Sequence, residues 1–167
     1  ALISFMECFA YENDLAFKGL SFEPKYLSTV NPKKMTADVK IHLTKDGVPQ
    51  KSLSVWAILR TNANSFRSVL LSAIRSSGIN KNLSNRKLAV IRFIDTPSGK
   101  VTQQKWEEFL DLGGIEIRPQ NDCIKLLFAI NTIRAKYPKK FPLWARKRSP
   151  TKGAGRLREV MHDLFGV

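Results

Sequence analysis

Residues Leu88-Ala-Val-Ile-Arg-Phe-Ile94 are nearly continuous in apolar side chains, the pattern of a strand covered on both faces and so central in its sheet. Few folds accommodate such a strand, because each of its faces needs a cover. The neighbouring segments supply one. Upstream, Asn64 or Ser65 can cap a helix in which Phe66, Val69, Leu70, Ala73 and Ile74 recur at helical spacing, and Gly78 stops it. Downstream, the loop Asp95-Thr96-Pro97-Ser98-Gly99 leads to an amphipathic helix marked by Trp106, Phe109 and Leu110 and ended by Gly113-Gly114. Ile115 to Arg118 then forms a short strand closed by Pro119. Asn121 caps a further helix through Ile124, Leu127, Phe128, Ala129 and Ile130 towards Tyr137-Pro138.

Before this core, Val39, Ile41 and Leu43 alternate with Asp38, Lys40, His42 and Thr44, as in a half-buried strand. Lys45-Asp46-Gly47 has the chemistry of a tight turn, and Leu53 to Leu59 returns as the second arm of a hairpin around Trp56. The expected fold class is therefore α/β. It is a single domain with a mixed sheet, built from an N-terminal hairpin plus two strand–helix–strand crossovers. The first segment, with Leu2, Ile3, Phe5, Met6, Cys8, Phe9, Leu15, Phe17, Leu20 and Phe22, is apolar without a period that selects helix or strand. Glu23-Pro24 and Asn31-Pro32 punctuate a connection ending in Lys33-Lys34.

The C-terminal third departs from this pattern. Between Cys123 and Val160 stand eleven basic residues and one acid, Glu159. Most lie in the run from Arg134 to Arg148, where Lys136, Lys139, Lys140, Arg146, Lys147 and Arg148 are interleaved with Tyr137, Phe141 and Trp144. Prolines 138, 142 and 150 argue against one continuous helix, so the expected form is an extended basic strap. The α/β domain with its strap would occupy residues 1–148, with Ser149 to Gly155 a linker by composition. In residues 156–167, Leu157, Val160, Met161 and Leu164 make the stripe of a short amphipathic helix.

Charge selects the partner. The 28 Lys+Arg against 14 Asp+Glu leave +14 on 167 residues of otherwise globular composition. That balance favours nucleic acid or an anionic membrane over a neutral partner. Cations mixed with aromatic rings suit a polyanion whose bases can be stacked upon. No run approaches the ~20 apolar residues needed to span a bilayer; the cation and ring mixture makes nucleic acid the expected partner, DNA before RNA and duplex DNA first. The binding residues would be Arg134, Lys136, Tyr137, Lys139, Lys140, Trp144, Arg146, Lys147, Arg148 and Lys152, helped by Arg86 and Lys87 in the basic loop that also holds Lys81, after Arg75. The plainer alternative is that Phe141, Leu143 and Trp144 pin the strap to the core while the charges are solvated.

Catalytic signals are weak. Asp95, expected beyond the carboxyl end of the central strand, and Glu116 of the neighbouring strand could hold Mg²⁺ for phosphodiester cleavage, with Arg92 or Arg118 facing phosphate. The same residues also read as an ordinary loop and an ion-pair ladder. Asp38-Val-Lys40 matches part of a nuclease motif without its upstream Pro-Asp. His42 and His162 are too few for a metal cluster, and Lys152-Gly-Ala-Gly155 lacks the spacing of a phosphate loop. No cofactor or metal is expected, and a binding module is favoured over an enzyme. The alternatives are a metal-dependent nuclease, or a protein-interaction domain docking or self-associating through the stripe of Leu157, Val160, Met161 and Leu164. Cys8 and Cys123, far apart and in apolar surroundings, suggest reduced thiols and an intracellular setting. The start Ala-Leu-Ile-Ser-Phe-Met-Glu-Cys reads as a segment of a longer protein.

Overall fold

A computed structural model describes residues 1–13, 20–23, 38–45, 48–81, 83 and 85–166. The turn residues Asp46 and Gly47, the apolar Leu15 and Phe17, and the connection through Pro24, Pro32 and Lys33-Lys34 lie outside them. Strands β1 (Leu20–Glu23), β2 (Asp38–Lys45), β3 (Val48–Ala57), β4 (Arg86–Ile91) and β5 (Ile115–Ile117) follow one another in sheet order as in sequence. Only two residues join β2 to its neighbour β3, which permits an antiparallel hairpin and no parallel pairing. β3 to β4 and β4 to β5 are parallel, so the sheet is mixed, as expected. The chain divides into two compact units, one of residues 1–23, 41–51 and 119–167, the other of residues 24–40 and 52–118, with the boundary inside β2 and β3.

The second unit is built on two crossovers. Ser52 to Ala57 pairs with Arg86 to Ile91, and Ala89 to Ile91 pairs with Ile115 to Ile117. Helix α2 (Ala63–Ser77) makes the first crossover and α3 (Lys100–Asp111) the second. Asn62 is the N-cap of α2, not Asn64 or Ser65, two and three residues later. Its side chain accepts from the amides of Asn64 and Ser65, the two residues the sequence nominates. Gly78 ends α2 at φ +76°, a left-handed conformation that favours glycine. Trp56, Leu88 and Val90 share one core with Phe66, Leu70, Trp106 and Phe109 of the helices. Leu53, Val55, Ala89 and Ile91 alternate with them along β3 and β4 and are also buried, which accounts for the apolar run as far as Ile91; the strand ends there, short of the expected Ile94, and Phe93 and Ile94 are exposed. Gly114 allows the chain to pass over Phe109, because a Cβ there would sit 2.0 Å from its ring.

The first unit gathers helices from both ends of the sequence. α1 (Leu2–Glu12) packs against α4 (Asn121–Lys136), α5 (Phe141–Arg148) and a 3-10 turn at Pro150–Ala154, which in turn supports α6 (Arg156–Phe165). Phe5, Met6, Cys8, Phe9 and Ala10 are all buried on α1. A helix apolar on nearly every side shows no amphipathic period, which is why its sequence does not declare a helix. No helix among the described residues is long and apolar enough to cross a membrane.

Two expectations are corrected here. Residues 134–148 are not an extended strap: Arg134 to Lys136 finish α4, Tyr137 to Lys140 turn, and Phe141 to Arg148 form α5. Pro142 falls in the first turn of α5, where its missing amide has no intrahelical partner to lose, so it starts a helix instead of preventing one. Nor are residues 149–155 a free linker. Thr151 and Ala154 are buried, with the Thr151 amide and hydroxyl donating to Glu12 at 2.8 and 2.5 Å. Composition signals a loop here, but a carboxylate 139 residues away in sequence captures it.

Candidate nucleic-acid interface

In α5, Phe141 and Ala145 are buried, four residues apart on one face. Helical spacing therefore turns Lys140, Leu143, Arg146 and Lys147 to the opposite side. Leu143 is 57% exposed and Tyr137 47%. The half-buried Trp144 ring stacks on Phe141 at 5.7 Å, and the Lys136 ammonium lies 5.3 Å from the Tyr137 ring. Of the three residues expected to pin this segment, Leu143 does not, since it stands in solvent. Phe141 pins, with support from Trp144, while the lysines stand in solvent.

Pairing separates the expected cations into two groups. Glu7 on α1 accepts from the Nε and Nη2 of Arg134, the latter at 2.8 Å. Glu12 accepts from Arg158 at 2.8 Å, Arg156 pairs with Glu159 at 3.0 Å, and Lys125 pairs with Asp122 at 3.1 Å. Arg134 is therefore a structural cation first. By contrast Lys136, Lys139, Lys140, Lys147, Arg148 and Lys152 are exposed and form no ion pair with any described residue. Charge runs alone cannot reveal this division, because Glu7 and Glu12 are remote in sequence.

Arg86 and Lys87 belong to the second unit, at the start of β4. Arg86 is exposed with its guanidinium against Gly78, and Lys87 is half-buried. Arg75 sits in the last turn of α2, where a cation complements the helix dipole.

The acidic pair is occupied by an arginine. Arg118 donates to Asp95 Oδ1 and to Glu116 Oε1, each at 2.8 Å. These bonds, that to Glu116 first, hold the guanidinium in its charged form and raise its pKa. Arg92 does not face a ligand. It is 1% exposed, lies 4.6 Å from the Phe66 ring, and donates to the carbonyls of Ile58 at 2.7 Å and Asp95 at 2.5 Å. Burial lowers its pKa. Lys40 of the Asp-Val-Lys tripeptide donates to the Ser76 carbonyl at the end of α2, at 2.6 Å. Strands β3, β4 and β5 run consecutively, so this part of the sheet has no reversal of strand order to open a ligand crevice. Among the described residues no group of three or more His, Cys, Asp or Glu is placed to hold a metal ion.

The stripe on α6 forms as expected but is not on offer to a partner. Leu157, Val160, Met161 and Leu164 are between 0% and 6% exposed, Phe165 extends the stripe, and His162 meets the Phe9 ring edge-on at 5.1 Å. Against protein-family models, curated proteins and solved structures, the chain has no match.

Proposed function

We propose that the chain is an intracellular nucleic-acid-binding module, engaging the phosphate backbone through α5 and the turns that flank it. The observation that carries this reading is the set of six exposed cations that form no ion pair with a described residue, Lys136, Lys139, Lys140, Lys147, Arg148 and Lys152, on the ends of α4 and α5 and the turns beside them. Fixed cations neutralise phosphates without first losing backbone freedom, and each phosphate met releases counterions. Tyr137 and Trp144 add ring faces beside the charges, which suits strands whose bases are accessible. Duplex DNA, favoured from the charge run, is compared directly with single strands and RNA.

The test is a salt-titrated binding series on all three. Six phosphate contacts give a slope of log K against log salt of about −5 on duplex DNA. A slope near zero, or no binding at low salt, removes the module reading. Cleavage that depends on Mg²⁺ and is abolished by Asp95→Ala would replace it with the nuclease.

A further inference from the structure

Phe128, which the sequence groups with the apolar residues of its helix, stands on the solvent face of α4. It is 63% exposed, the most of any large apolar side chain among the described residues. Cys123, Leu127 and Ile130 form the buried face of the same helix. Lys125, Phe128, Thr132 and Lys136 follow one another at steps of three, four and four, so they make one stripe on the opposite side, and all four are exposed. We propose that this stripe holds single-stranded DNA, with one base stacked on Phe128 and the phosphates to either side met by Lys125 and Lys136. The proposal rests on the nucleic-acid reading and deepens it, since it names the kind of strand.

A lone exposed apolar residue is ordinary; the surroundings of Phe128 single it out. No aromatic ring among the described residues stacks on it. Thr132, one turn on, is short, and its hydroxyl donates back to the Phe128 carbonyl at 2.9 Å, so the ring is left open to solvent. Lysines stand at both ends of the stripe. From Lys125 to Lys136 the helix rises about 16 Å, the length of about five nucleotides at the ~3.4 Å charge spacing of one stacked strand. Lys125 pairs with Asp122 at 3.1 Å, but both side chains are exposed, and a surface pair of this kind yields to a phosphate at little cost. The stripe ends at Lys136, directly before the turn that holds Lys139 and Lys140, so a strand leaving Phe128 in that direction reaches the cations already described. Other occupants fit less well. A duplex covers each base face with the next base, so it can use the lysines and not the ring. A second copy would set the stripe against itself, lysine facing lysine, on chains that each carry +14. A protein partner docking by apolar contact needs a broader patch than one ring between lysines.

Fluorescence anisotropy at low salt compares a short oligothymidine with a duplex of equal length, on the full chain and on variants of Phe128 whose folding calorimetry checks. Phe128→Ala weakens the single strand about tenfold, the scale of one base stacked on a protein ring, and leaves the duplex within about twofold. Phe128→Leu, which keeps apolar bulk and loses the ring, weakens the single strand by a similar factor. Phe128→Trp keeps the affinity, and the fluorescence of the added indole is quenched by the oligothymidine and not by the duplex. Lys125→Ala and Lys136→Ala together flatten the single-strand salt slope by about 1.4. Equal effects of Phe128→Ala on single strand and duplex, or none on either, overturn the stacking site while backbone binding stands, as does full single-strand affinity in Phe128→Leu. An oligouridine bound more tightly than the oligothymidine overturns the choice of DNA. Failure of every strand to bind overturns both readings.

Discussion

Replacing Glu12 by alanine tests what holds the C-terminal segment in place. The Glu12 side chain is 1% exposed, and its oxygens accept from the Thr151 amide, the Thr151 hydroxyl and Arg158, whose own side chain is 17% exposed. Without the carboxylate, Thr151 keeps a buried amide with no acceptor and Arg158 keeps a largely buried charge. Breaking a buried pair from one side costs ~3–5 kcal/mol. Arg158 can reach water, which places the loss near the lower end, about 3 kcal/mol. Urea denaturation reads this loss as a lower midpoint at unchanged slope. Limited trypsinolysis reads the same event locally, since release of the Pro150–Ala154 turn makes the bond after Lys152 a preferred cut. Glu12→Leu combined with Arg158→Met removes both charges together, so the pair is more stable than the sum of the two single losses. A loss below about 1 kcal/mol for Glu12→Ala, with strict additivity in the double variant, would refute the view that this cluster fastens the segment.

Other outcomes follow from the same contacts. Lys139→Ala, Lys140→Ala and Lys147→Ala together flatten the duplex salt slope by about 3 while the melting temperature is nearly unchanged, because these side chains are exposed; calorimetry beside the binding series checks both. Arg92→Leu strands the carbonyls of Ile58 and Asp95 and costs about 3 kcal/mol in urea denaturation, with no change in phosphate binding. The Cys8 thiol is raised above its ordinary 9.0 by burial and then by the charge of Glu12, and the Cys123 thiol by burial. Raised folded values mean that stability is complete below pH ~9 and declines as the unfolded thiols ionise above it. Urea midpoints at neutral and alkaline pH test this, and iodoacetamide labels neither cysteine without denaturant.

The α/β centre was legible because its cues are local. Phe66 to Ile74 carry a helical period, Gly78 a stop, and Leu88 to Ile91 a two-faced strand, each within one short window. The first unit hides its logic in long-range contacts. α1 lacks a period because it is buried nearly all round, and the Pro150–Ala154 turn looks like a linker until Glu12 reaches it. Pro142 is ambiguous by nature, since proline breaks a helix interior and begins a helix equally well. The basic residues of the interface were visible from composition. Their sorting into cations paired with a described acid and cations that are not needed Glu7 and Glu12 in place.

Among the described elements α1 packs most extensively on α4 and α5, both beyond residue 119, which has a consequence for how the protein is made. When the ribosome has released Phe5, Met6, Cys8 and Phe9, the residues that bury them, from Asn131 to His162, do not yet exist. Residues 52–118 hold their own core and two local crossovers, so they can fold while α1 waits. The closing of a loop longer than roughly a hundred residues adds only a slowly growing entropic cost, but it sets the order of events. Until α4 and α5 emerge, an apolar helix lacks their cover, a target for chaperones and for aggregation, and the basic segments of the first unit reach their places only when the early and late segments meet.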